Sequence, residues 1–60
     1  MSTLGIWEEI PCPGVKILYN CTRTPERITV LYEGGEPLHY DFPDGIGEVE
    51  INKVRKFVLS

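Results

Sequence analysis

Two cysteines, a lone histidine and a scatter of aromatic and cationic side chains are the residues of this 60-residue chain that could do chemistry. Cys12 and Cys21 could act as nucleophiles, as redox partners or, with His39, as metal ligands. Each role makes a demand on spacing. A disulfide needs its Cα atoms within about 7 Å. With Val15 to Asn20 extended, nine residues at about 3.3 Å each hold the two thiols ~30 Å apart. The pair therefore reads as two free thiols, which belong in a reducing compartment. Zinc sites usually open with a Cys pair two to four residues apart. Cys-x₈-Cys with His39 elsewhere offers no such pair. Asp41, Asp44, Glu48 and Glu50 crowd one stretch without the spacing of a calcium loop, and read as a solvated acidic rim. No metal and no cofactor is expected.

Catalysis fares no better. A nucleophile needs a base, and the base needs a third group to orient it. His39 with either cysteine supplies two of these parts, and a chain this short has little room for a pocket once its core is filled. No catalytic residue is assigned, and the protein is expected not to be an enzyme. Gly45-x-Gly47 is too short for a phosphate-binding fingerprint and reads as a turn. Asn20-Cys21-Thr22 fits the loose glycosylation pattern only by chance, because the first residues, Met1-Ser2-Thr3-Leu4-Gly5, show neither the basic nor the apolar stretch of a secretory leader.

Recognition is the remaining chemistry. Lys53, Arg55 and Lys56 gather three of the six basic residues, with Arg23 and Arg27 elsewhere, and Trp7, Tyr19, Tyr32 and Tyr40 are candidate stacking surfaces. That set would suit a small barrel that binds nucleic acid. The net charge of −3 and a pI near 4.9 oppose phosphate tracking. The three tyrosines also fall on faces assigned to the core. Trp7, Lys53, Arg55 and Lys56 are therefore kept as the partner-binding set, with a protein partner ahead of nucleic acid.

The elements that must position these residues follow from composition. Val, Ile and Thr make up fifteen of the residues, while Ala and Gln are absent. That balance favours strands over helices. Six Gly and five Pro break the chain into short segments. Leu4 to Ile10 is the first, stopped by Pro11 and Pro13. It reads either as a strand or, with Thr3 as cap, as one helical turn. Val15 to Cys21 alternates cleanly, with Val15, Ile17, Tyr19 and Cys21 on one face. Thr24-Pro25-Glu26-Arg27 suits a type I turn. Ile28 to Phe42 reads as a hairpin across Gly34-Gly35, whose paired glycines supply the positive φ of a primed turn. Val30, Tyr32, Leu38 and Tyr40 then feed the core, and His39 is left outside.

Residues 48–59 admit two readings. Glu48-Val49-Glu50-Ile51-Asn52 alternates as a strand that could pair with Val54 to Leu59 through Asn52-Lys53. Ile51, Val54, Phe57 and Val58 instead share one helical face. The density of β-branched residues favours strands, with a short helix as the alternative.

The chain is expected to form a single domain over 1–60, all-β or mostly β. Its architecture would be a small antiparallel barrel or curled sheet of five to six strands, which resembles SH3-like barrels in size and hairpin spacing. The expected function is that of a small acidic binding or regulatory module, cytoplasmic and non-catalytic, that docks on another protein. The alternative is a nucleic-acid-binding barrel using Lys53, Arg55, Lys56 and exposed aromatics. Apolar runs of three residues rule out a membrane-spanning helix of about 20. A core this small would gain from homodimerisation, through a strand edge or an apolar patch.

Overall fold

A computed structural model describes residues 5–60. Four strands follow one another as a meander, β1 (Ile6–Cys12), β2 (Val15–Asn20), β3 (Glu26–Tyr32) and β4 (Leu38–Phe42), and a helix, α1 (Glu48–Leu59), closes the chain. Each strand pairs antiparallel with the next, so the sheet order is β1-β2-β3-β4. The protein is mostly β, as its composition implies. The sheet is open, and the expected barrel of five to six strands does not form.

The missing strands are the helix. Ile51, Val54 and Val58 turn one side of α1 to the sheet, and Val54 joins the buried core. One apolar stripe is enough to cover the inner face of a four-stranded sheet. β-Branching costs a helix only a few tenths of a kcal/mol per residue, and burial of that stripe outweighs it. The ends are also well set. Gly47 N–H donates to Glu50 Oε1 at 2.9 Å, Glu48 and Glu50 lie in the first turn, and Lys56 lies in the last. Asn52-Lys53, read as a possible turn, is helical.

Ile17, Tyr19, Ile28 and Val30 are fully buried between the sheet and α1, with Cys21, Ile46 and Val54 around them. The register stacks these residues in rows: Trp7, Tyr19, Ile28 and Tyr40 lie side by side, and so do Glu9, Ile17, Val30 and Leu38. The alternation expected for β2 and β3 is therefore present, with the same residues inside.

The turns differ from expectation in chemistry more than in place. β1 runs through Pro11, which an edge strand tolerates, and reverses at Pro13-Gly14, where Gly14 has φ 82°. The β3–β4 connection is longer than a two-residue primed turn. Gly35 N–H donates to Tyr32 C=O at 3.1 Å, and the positive φ, 76°, belongs to Gly34 alone. This is the pattern of a type II turn. Glu26 and Arg27 already belong to β3, so the type I turn expected over Thr24-Pro25-Glu26-Arg27 does not form. Thr3 and Leu4 lie outside the described residues, and the helical-turn reading does not survive from Ile6 onward, where the chain is β1.

Candidate functional site

The two edges of the sheet are built differently, and the side chains singled out in the sequence divide between them. On the β1 side, the helix is tied down. Arg55 Nε donates to Glu9 Oε1 at 3.0 Å, and a terminal guanidinium nitrogen of Arg55 donates to Glu9 Oε2. Tyr19 Oη donates to Glu9 Oε1 at 2.5 Å, and the Tyr19 ring stacks on Trp7 with centroids 4.6 Å apart. Glu9 thus accepts from β2 and from α1 at once. The Arg55 hydrogen bond pulls the Glu9 carboxyl below its usual range, more than partial burial pushes it up. Burial raises the Tyr19 phenol to about 12, and the Glu9 carboxylate adds to the rise. Among the described residues, the helix backbone comes near the sheet backbone only along β1.

On the β4 side, the helix stands away. A groove of about 230 Å³ opens between β4 and α1, lined by Tyr40, Lys53, Val54 and Phe57. Phe57 is 58% exposed there. Leu38, expected to feed the core, is instead 39% exposed, because no described element covers its end of β4. Among the described residues, no further strand lies beyond β4.

The face of the sheet opposite the helix is bare. Ile6 and Ile10 are 67% and 66% exposed on it, and Leu18 and Leu31 are half-buried. Ile10, Val15, Lys16 and Leu31 line a shallow depression of about 340 Å³ near the Pro13-Gly14 turn. Ion pairs flank these aliphatics. Lys16 Nζ lies 3.3 Å from Glu8, and Arg27 Nε 2.7 Å from Asp41. The Arg27 hydrogen bond lowers the Asp41 carboxyl. Thr29 Oγ1 and His39 Nδ1 are 2.9 Å apart on the same face.

Family models, curated proteins and solved structures give no match to this chain. The surfaces themselves carry the functional argument.

The sequence-derived residues fall as follows. Trp7 is half-buried against Tyr19, and Arg55 is committed to Glu9. Lys53 lines the β4 groove and Lys56 is exposed one turn further along α1. The structure brings Trp7 and Arg55 together at the β1 side, with Glu9 and Tyr19 between them, and places Lys53 at the opposite side. Cys12 and Cys21 are free thiols, the first half-buried and the second buried. Burial pushes the Cys21 thiol up, and Glu26 adds to the shift. No three His, Cys, Asp or Glu side chains among the described residues gather as metal ligands would. No helix among them is long and apolar enough to cross a membrane.

Sequence reasoning missed Glu9. In the first segment Leu4, Ile6 and Ile10 alternate with Gly5, Trp7 and Glu9 and suggest an apolar inner face, yet Ile6 and Ile10 face outward while Trp7 and Glu9 face the helix. The signal was Trp7, whose large ring belongs over the core and fixes the parity of the whole strand.

Proposed function

We propose that the protein is a small acidic, non-catalytic docking module that meets a protein partner through the bare face of its sheet. The single observation behind this reading is the set of outward aliphatics on that face, Ile6, Ile10, Leu18 and Leu31. Two of them are about two-thirds exposed, although the chain has few apolar residues to fill its core. Exposed apolar side chains on one face, with the Lys16–Glu8 ion pair set among them, combine the apolar and polar contacts of a protein interface. A regulatory module of this kind, working in the cytoplasm, needs no pocket chemistry.

The ion pairs also favour protein over nucleic acid. Lys16, Arg27 and Arg55 are each held by a carboxylate. Phosphates would have to displace those carboxylates, and the net charge of −3 opposes their approach. One face of the Trp7 ring is already taken by Tyr19.

The test is a comparison of immobilised wild-type protein with Ile10→Lys and Leu18→Lys in a source-cell lysate. The reading expects a protein retained by the wild type and lost from both variants, which keep their fold because both positions are outside the core. Oligonucleotide binding at micromolar concentration that weakens steeply with salt, and that Lys53→Glu abolishes, would reverse the ranking.

A further inference from the structure

We propose that a second copy of the chain pairs with β4, strand against strand, in a twofold dimer whose axis passes beside Tyr40. This goes beyond the docking role, uses a different surface and leaves the bare face free.

The first ground is the contrast between the edges. Exposed strands invite pairing with another chain, and proteins blunt them with prolines, bulges or charges. β1 carries all three: Pro11, a register shift between Glu9 and Cys12, and the acidic pair Glu8 and Glu9. The five residues of β4, Leu-His-Tyr-Asp-Phe, hold no proline, no lysine and no bulge, and keep regular register with β3 throughout. Pro37 and Pro43 stand just outside it and confine any pairing to those five positions.

The second ground is that the strand is complementary to itself. In an antiparallel pair centred on Tyr40, Leu38 stands opposite Phe42 of the second copy, and Tyr40 opposite Tyr40. His39 stands opposite Asp41 of the second copy, twice over. The apolar pairs fall on the helix side of the sheet, where Leu38 is part-exposed and Phe57 lies open beside Tyr40. The polar pairs fall on the other side. There Asp41, exposed and accepting from Arg27 at both oxygens, meets His39 of the second copy, whose Nδ1 lies against Thr29 and whose Nε2 is left to reach it. A shift of one residue would set His39 against Asp41's apolar neighbours and forfeit the match. A cross-strand aromatic pair and an imidazole donor opposite a carboxylate favour this register, and like charges at the same positions oppose it.

The register makes a test that depends on sign. His39 is exposed, so its replacement leaves the folded chain intact. Sedimentation equilibrium across the micromolar range should show the wild type passing to a species of twice the 6.8 kDa chain mass. His39→Asp, which sets two acids against each other at both ends of the pair, should raise the dimer dissociation constant about tenfold or more. His39→Lys, which places a donor and a positive charge opposite Asp41, should leave it within about threefold of wild type or tighten it. Circular dichroism of each variant confirms the fold. A wild type that stays monomeric at every concentration overturns the proposal and leaves β4 to a strand of another protein. Equal dissociation constants for the two variants, or a tighter dimer with aspartate, overturn it as well.

Discussion

β1 and β4 are both edge strands of one sheet, and they solve the problem of an unpaired edge in opposite ways. β1 spends its inward positions on Trp7 and Glu9, and through them it is joined to β2 and to α1. β4 presents Leu38, Tyr40 and Phe42 inward, and the helix leaves a groove beside them. The half-buried Glu9 is what closes the β1 side, because a carboxylate that accepts from both Tyr19 and Arg55 fixes two elements at once. Tyr40 and Phe42 of β4 pack on the core, but among the described residues no side-chain hydrogen bond ties α1 to that strand. In a sheet this small, the polar side fixes the helix, and the apolar side is where the proposed association falls.

The contrast can be broken from the β1 end first. Trp7→Ala removes the stack on Tyr19 and half-buried ring area, and should destabilise the fold by about 2–3 kcal/mol in urea unfolding. A loss below about 1 kcal/mol would mean that β1 is not anchored as described. The β4 end depends on its turn. Gly34→Val forces a branched residue into φ 76° and should cost about 1–2 kcal/mol. Gly35 has no such φ, and a Cβ there would meet Tyr32 Cβ at 3.3 Å. Gly35→Ala should therefore cost less than Gly34→Val, and the reverse order would place the turn wrongly.

Titration sharpens the comparison further. Glu9 has a folded pKa below its unfolded value, so it contributes stability above the unfolded value near 4.5 that is lost as pH falls through the folded one. Tyr19 is shifted the other way, from 10 to about 12. Its contribution is complete below pH 10 and is lost as pH rises from 10 through 12. Thermal unfolding followed across pH should show both limbs in the wild type. Glu9→Gln should flatten the acid limb, and Tyr19→Phe should flatten the alkaline one. The smallest expected effect is at the open side. Phe57→Ser should change the stability of the dilute protein by no more than about 0.5 kcal/mol, since that ring is more than half exposed. The same substitution should weaken self-association severalfold.

The meander of β2, β3 and β4 was legible because period-two alternation and glycine placement act within a few residues. Ile17, Tyr19, Ile28 and Val30 could be assigned to the core from alternation alone. The helix was not legible, because its local propensity and its tertiary reward point in different directions. Val49, Ile51, Val54 and Val58 favour strands locally, and only the need to cover one sheet face selects the helix. The positions of the candidate binding residues were legible only in part. The exposure of Lys53 and Lys56 was legible from their charge. The role of Arg55 was not, because its partner Glu9 lies 46 residues away and looks like a surface acid in a strand of mixed pattern. His39 was correctly placed outside the core, but its opposition to Asp41 of a second copy emerges only from the register of β4.

The central claim is that the open edge, β4, is where the chain associates. Its most direct test is a dilution series of amide and side-chain spectra by solution nuclear magnetic resonance. With rising concentration, shifts should concentrate at Leu38–Phe42 and at Phe57, while Ile6–Cys12 stays unmoved. Shifts confined to β1 or to the bare face around Ile10 and Leu18, or spectra that do not change with concentration, would contradict it.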